Sequence, residues 1–310
     1  ALASPLRGAR FRGAALVAVF WIMAILGLAI VTLMRVVSYQ VDVVASQTSG
    51  IEARQQAEKG LAVASNSLVN KWDPLLKQNF GDGTGYNVEI TSEGQFFDIN
   101  YILGKGDKAL LRQIFDYWGI ESDMQSEIAD ALLDWWDKGD GEELNGAEFE
   151  WYETLGIYNQ PYNRPFYSLD EMRLVKGMAL VEAAQPRWRD WFTVYTNKGL
   201  DVGEASAEFM AIAAEGEVVD AESVVDMRLG PDGIKNTEDD PSVSKQAAIT
   251  QLGLDEDNDG NKEDRFSDEG STDRIESVGF SGGIRRKLVL ILNNRSGNPT
   301  ILDRREELVK

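Results

Sequence analysis

The stretch Ala14–Met34 (AALVAVFWIMAILGLAIVTLM) does most to limit what this chain can fold into. It carries no charged residue, and as a helix rising ~1.5 Å per residue it reaches about 31 Å, the thickness of a bilayer's hydrocarbon core. Lipid offers no partner to backbone polar groups, so a single apolar span has to be helical. Arg7, Arg10 and Arg12 precede it, and Arg35 closes it. A cleaved secretory signal has a shorter apolar region, ~7–15 residues, followed by a small-residue cleavage site. Here the run is longer and Arg35-Val-Val-Ser-Tyr-Gln follows it. The basic leader predicts a cytoplasmic N-terminus and a translocated body.

Gly13 and Ala14 sit between the basic leader and the apolar run. This junction resembles the processing site of type IV prepilin-like proteins, which are cut before the apolar segment so that it survives as the start of a helix. Beyond Met34 the chain has no Pro until Pro74, and Gly50 and Gly60 are the only breaks. Ala53, Ala57, Leu61, Ala64 and Leu68 recur at three- and four-residue steps, one apolar stripe on a helix. The spacing predicts a helix to about Trp72, ended by Pro74. A pilin-like rod lying against a globular head fits this pattern. So does an anchor followed by an independent helical linker, and this stretch alone leaves both open.

The net charge is −20, which makes nucleic acid and anionic membrane surfaces poor partners for the soluble part. Between Asp220 and Glu276 there are 17 Asp plus Glu against 6 Lys plus Arg, a net −11. The absence of Cys excludes disulfides and thiol catalysis, and the absence of His removes the commonest general base and zinc ligand.

Tyr86–Thr91 and Gln95–Ile102 alternate as a strand pair would. From Lys108 to Lys138 the period becomes helical, with Gly119 between two helices. A helix is expected from about Ser168 through Val175, a strand at Trp191–Thr196, and helices at Ala205–Ala214 and Ala221–Leu229. Arg274–Phe280, Arg285–Leu292 and Thr300–Asp303 read as strands. The expected class is α+β: a long N-terminal helix, membrane-spanning then amphipathic, on an antiparallel sheet head with a large inserted helical subdomain. The divisions are a leader at 1–13, the spanning part at 14–34, its amphipathic continuation at 35–73 and the first part of the head at 74–104. The insert follows at 105–190, then the rest of the head at 191–310, with an acidic segment at 228–273 and the C-terminal strands.

Several segments carry a family resemblance. They are the Gly13-Ala14 junction, Ala53-Arg-Gln-Gln-Ala-Glu-Lys-Gly-Leu-Ala and the Phe97-Asp-Ile-Asn100 strand end. To these add Leu133-Asp-Trp-Trp-Asp137 with Gly146-Ala-Glu148 and Tyr152, and Pro165-Phe-Tyr-Ser-Leu-Asp-Glu-Met-Arg-Leu-Val-Lys-Gly177. Together they resemble the minor pseudopilin K of bacterial type II secretion systems. The resemblance implies a non-enzymatic subunit at the pseudopilus tip that starts fibre assembly with I- and J-type minor pseudopilins. It implies cutting by a prepilin peptidase at Gly13-Ala14, an inner-membrane anchor with a periplasmic body, and contact with secreted substrate. Most pilins keep a Glu at the fifth mature position, and the K family is known for lacking it. Here that position is Ala18. A tip subunit has no neighbour above it to pair with such a Glu, and a lone carboxylate in lipid is costly.

Asp255, Asp257 and Asp259 alternate, Gly260 allows a sharp turn, and Asn261 and Glu263 follow. Hard oxygen donors at positions 1, 3 and 5 with Gly at 6 match the front of a calcium loop. Position 12 is Phe266, so Asp264 or Asp268 is expected to close the site. Asp232, Asn236, Glu238 and Asp240 form a second candidate loop, giving one or two structural Ca2+ ions, and the K resemblance implies calcium as well. Asp134, Asp137, Asp140, Glu142 and Glu143 cluster around Trp135 and Trp136, which read as core and lid of the insert. Such carboxylates can serve as the acid and base of a hydrolase, although at i, i+3 they read more simply as surface charges or turn formers. The alternatives to the tip subunit are therefore a membrane-anchored, calcium-dependent periplasmic hydrolase and a minor subunit of a type IV pilus or competence system. Helix-turn-helix pieces near Gly119 and Gly177 would suit DNA only on a basic surface, which this body lacks.

Overall fold

The computed structural model describes residues 12–139, 141–254, 262–268 and 270–307. The chain opens with α1 (Arg12–Ala64). After it come β1 (Lys77–Asn79), β2 (Gly85–Ser92), β3 (Phe97–Asp98), α2 (Ile99–Gly104), α3 (Lys108–Tyr117) and α4 (Ser122–Trp136). Next are α5 (Phe149–Thr154), α6 (Leu169–Met172), α7 (Met178–Ala184), β4 (Phe192–Thr193), β5 (Leu200–Asp201) and α8 (Ala207–Ala214). The chain finishes with α9 (Val218–Asp226), α10 (Lys245–Gln251), β6 (Phe266–Ser267), β7 (Thr272–Ser281), β8 (Ile284–Asn293) and β9 (Thr300–Glu307). A long helix, an antiparallel sheet and a helical insert are present as the sequence predicts.

The head is a five-stranded antiparallel sheet in the order β1-β2-β7-β8-β9. Gly282 and Gly283, with φ of +54° and +83°, make the tight β7–β8 turn that only such left-handed residues allow. One face of the sheet packs on the C-terminal part of α1, where Ala57, Leu61 and Ala64 meet Val88, Ile90, Ile275, Leu288, Leu290 and Leu292. The approach is close. A Cβ on Gly279 would stand 2.0 Å from the Ala53 carbonyl oxygen, and one on Gly60 would stand 2.4 Å from Ser277 Oγ. Gly60 is thus a packing contact inside an unbroken helix rather than a break.

The other face of the sheet carries an ion-pair network over the buried Val289 and Ile291. Arg274 reaches Glu93 (3.3 Å) and Glu276 (2.7 Å), and Lys287 bridges Glu276 (2.6 Å) to Glu307 (3.0 Å). Glu93 is only 3% exposed. Burial raises its pKa despite Arg274 and the Thr193 hydroxyl, which donates to it at 2.7 Å. Arg274 also stacks over Phe96 (5.4 Å), so the network is where the insert meets the sheet.

Several expectations need correction. The first helix ends at Ala64, not near Trp72, and Leu68 is exposed. Ser65 Oγ bonds the Leu61 carbonyl (2.7 Å) and Asn66 Oδ1 accepts the Leu68 N–H (3.0 Å), so side chains compete with the next helical turn. Arg295 then donates to the carbonyls of Ala64, Asn66 and Val69 at 3.0, 3.0 and 3.1 Å, satisfying the helix end. Gln95–Ile102 is not a strand partner of β2. Only Phe97–Asp98 of it forms a strand, pairing in parallel with Phe192–Thr193. Asp98 Oδ1 caps α2 by accepting the Tyr101 N–H (3.0 Å), and β2 pairs with β7 instead. The helix expected at Ser168–Val175 is the single turn α6. Gly177, at φ +84°, starts α7, where a Cβ would collide with Ile128.

The helical insert has its own core, running from Phe97 and Ile99 through Trp135 and Trp188 to Ile249 and Phe266. It is therefore wider than 105–190. Helices α8, α9 and α10 bury their apolar faces within this core and not against the sheet, so much of 191–268 packs with the insert.

Candidate functional site

Two features of the fold bear on function: the two-part helix α1 and an acidic loop ahead of α10. Over its N-terminal part α1 rests on nothing. Leu16, Phe20, Trp21, Met23, Leu28, Leu33 and Met34 are all exposed, and the segment is long and apolar enough to cross a membrane. Gly13 and Ala14 fall in its first turn. From Ala53 the same helix is clamped under the sheet, where Arg304 pairs with Glu58 and Arg54 lies 3.9 Å from Glu306. Its length of 53 residues corresponds to about 80 Å.

Among the carboxylates around Trp135, Asp134 and Glu143 make structural contacts. Asp134 is fully buried, and its two oxygens accept the N–H groups of Glu143 (3.0 Å) and Ala147 (2.7 Å). Gly146 is required beside it, since a Cβ there would fall 1.7 Å from Asp134 Oδ2. Burial raises the Asp134 pKa, and the backbone bonds oppose the shift. Asp130 accepts from Asn145 Nδ2 (3.1 Å) and pairs with Lys108 (2.8 Å), which also reaches Glu143 (2.9 Å). Trp135 is fully buried, edge-on to Tyr152 (5.6 Å) and Tyr162 (5.0 Å) and parallel to Phe166 (6.3 Å). The motif thus folds a loop around an aromatic core, and Asp134 closes the turn from inside. Asp140 lies outside the described residues.

In the second acidic loop the structure brings Asp232 and Asp240 together, with Asp239 rather than Glu238 as the third carboxylate. One oxygen from each lies within 4.8 Å of the others. Glu238 is exposed and is not one of this group. Asn236 contributes its backbone, because at φ +63° its N–H is turned onto Asp240 Oδ2 (2.6 Å). Thr237 Oγ1 lies within hydrogen-bond reach of Asp240 (3.0 Å) and Asp239 (2.8 Å), with one proton to donate. Partial burial works against the Asp240 charge, but the Thr237 hydroxyl and the N–H groups of Thr237, Asn236 and Gly230 outweigh it, holding the carboxyl below its usual range. Gly230 admits Asp239, which would stand 2.4 Å from a Cβ. Asp239 was missed because it sits in a run of three acids whose alternation favours the other two.

The loop is tied to the head, since Glu204 pairs with Lys235 (3.1 Å) and with Lys71 in the turn after α1. In the first acidic loop, Asp255, Asp257, Asp259 and Asn261 lie outside the described residues. Glu263 sits on a single 3-10 turn, Lys262–Arg265. Of the expected closing residues, Asp264 pairs with Lys105 (2.9 Å) and Asp268 accepts the Lys245 N–H (2.8 Å).

Residues 97–196 match the family model for type II secretion system (T2SS) protein K. Among solved structures, a chain of the GspK-GspI-GspJ complex from the type 2 secretion system of enterotoxigenic Escherichia coli shares the fold. Its TM-score is 0.62 at 13% identity, covering 86% of this chain and 99% of that one. No curated protein matches the chain by sequence. The matched segment holds the Asp134–Trp135–Tyr152–Phe166 core just described, so residues 97–196 resemble a type II secretion system protein K domain, set in a chain that shares the fold of that solved structure.

Proposed function

We propose that this protein is a non-enzymatic tip subunit of a type II secretion pseudopilus, which nucleates fibre assembly with I- and J-type minor pseudopilins for export across the outer membrane. The observation that carries the reading is the division of α1: its apolar half is bare, while its other half is fixed beneath a sheet whose insert resembles a protein K domain. Before assembly the bare half holds the chain in the inner membrane, N-terminus cytoplasmic and body periplasmic. A prepilin peptidase removes residues 1–13 at Gly13-Ala14. After assembly the same surface packs against neighbouring helices, exchanging lipid for protein at little cost in apolar burial. The test is co-expression of the full chain with I- and J-type partners, with a photo-crosslinker at Val41 or Ile51. A ternary complex with crosslinks along α1 is expected. Failure to form one, together with secretion unaffected by deletion of the gene, would refute the assignment.

Calcium is part of the proposal. Asp232, Asp239 and Asp240 form no ion pair among the described residues, so their mutual repulsion is relieved by a hard divalent ion. Calcium accepts such carboxylate and backbone oxygens at about 2.3–2.6 Å, whereas magnesium rarely takes an all-protein cage. Bound there, the ion holds the loop on the Glu204–Lys71 tie and stiffens a segment that would otherwise repel itself. Titration calorimetry with calcium chloride checks this, and the absence of heat at millimolar calcium would exclude it.

A further inference from the structure

The connection between α5 and α6 leaves aromatic rings bare on the insert, away from α1 and the acidic loops. Tyr167 is 70% exposed, Tyr158 64% and Tyr162 41%, and Leu155, in the same connection, 57%. Tyr162 and Tyr167 are held in place. The Arg164 guanidinium lies 3.7 Å from the Tyr167 centroid and 4.9 Å from that of Tyr162. It is fixed in turn by Glu171 (3.0 Å) and the Pro165 carbonyl (2.9 Å). Tyr162 rests edge-on against the buried Trp135 (5.0 Å), which roots the platform in the core.

The surroundings are acidic. Residues 141–174 hold seven Asp plus Glu against two Arg. Glu142, Glu150 and Glu153 are exposed and form no ion pair among the described residues, while the one cation between the rings is already paired. Rigid tyrosines and arginine lose little entropy on binding and anchor most recognition surfaces. Ring faces accept cations and proline rings alike. The charge excludes nucleic acid and anionic lipid as occupants and complements lysine and arginine.

We propose that this face docks an extended, lysine- or arginine-bearing segment of a partner polypeptide. Its backbone would lie across Tyr158, Tyr162 and Tyr167, with its cations at Glu150 and Glu153. The inference does not depend on tip position or on calcium.

The probe is a fluorescein-labelled peptide of alternating Lys and Pro, which is extended before it binds. It is followed by anisotropy on the full chain in a non-ionic detergent, beside a Glu-Pro peptide. Saturable binding of the Lys-Pro peptide alone is expected. The double substitution Tyr158→Ala with Tyr167→Ala weakens it about tenfold, and Glu150→Gln with Glu153→Gln weakens it about threefold. If the double variant melts lower than the parent, Tyr158→Ala alone carries the test, because its ring touches none of the buried aromatics. No saturable binding overturns the proposal. So does binding that salt abolishes and the tyrosine substitutions leave unchanged, which is attraction to the net charge alone.

Discussion

Gly279→Ala should lift α1 from the sheet. Gly279 lies on β7 opposite the helix, and an added Cβ would stand 2.0 Å from the Ala53 oxygen and 2.3 Å from the Ala57 nitrogen. Ordinary contact needs about 3.4 Å or more, so the helix must retreat by about 1 Å. The obstructing atoms are backbone, so no rotamer change relieves them. Overpacking of this kind costs about 1–3 kcal/mol, and two backbone clashes on a rigid helix put this case near about 3 kcal/mol. Gly60→Ala is the comparison. Its Cβ would meet Ser277 Oγ at 2.4 Å and Val88 Cγ2 at 2.7 Å, which are side-chain atoms, and Ser277 can rotate. It also gains about 1 kcal/mol of helix propensity, leaving a net loss of about 1 kcal/mol. Urea unfolding of the full chain in detergent, read by hydrogen exchange over residues 50–64, ranks the two. Ala57→Gly should fail to rescue Gly279→Ala, because it removes a side chain and not the backbone. Equal destabilisation by the two glycine substitutions, or rescue by Ala57→Gly, would refute the close packing of α1 on β7.

Arg295→Ala removes three bonds to the end of α1 and should cost about 2 kcal/mol, seen as faster hydrogen exchange at residues 61–69 with the strands unchanged. Asp134→Ala strands two buried N–H groups and should lower stability by about 3 kcal/mol. Calorimetric unfolding measures this loss, and a hydrolase would instead lose turnover with its stability kept. Burial opposes the charges of Glu276 and Glu307, but Lys287 with Arg274 or Arg305 outweighs it and holds both below the usual carboxylate range. Their contribution is present above about pH 4.5 and is lost as pH falls through the lowered native values. Burial raises Glu93, which acts in the opposite sense. In Lys287→Met the urea midpoint should therefore fall less steeply between pH 5 and pH 3. Asp240→Asn should remove one calcium's heat on titration, and with it the drop in melting temperature that EGTA causes in the parent.

Much of this architecture is legible in local pattern. The stripe Ala53–Ala64 and the C-terminal strands follow from period alone, because each buries one face against a continuous partner. What is not legible depends on distant chain. The Phe97–Ile102 stretch alternates like a strand, but Asp98 turns it into a capped helix, and the partner that β2 needs comes from β7, far along the sequence. Gly60 looks like a helix break until Ser277 and Val88 are set against it. In the second acidic loop the carboxylates that come together are Asp232, Asp239 and Asp240. The choice of Asp239 over Glu238 rests on the left-handed turn at Asn236, which no spacing rule reveals. Near Trp135 the i, i+3 spacing reads as surface charges or turn formers, whereas Asp134 is fully buried and holds the loop through the N–H groups of Glu143 and Ala147.

Ser92 and Asp273 face each other across adjacent strands, although more than half of the chain lies between them. Neighbouring strands run about 4.8 Å apart, so the insert leaves the head and returns to it through a doorway only one strand spacing wide. A closed excursion of this kind leaves the strand order of the sheet unbroken, whatever its length. The insert can therefore be enlarged, trimmed or re-surfaced while the rod-and-sheet unit keeps its register. A short turn joining β2 directly to β7 would leave that unit topologically whole, as a four-strand meander from β2 to β9, edged by β1, on a helix.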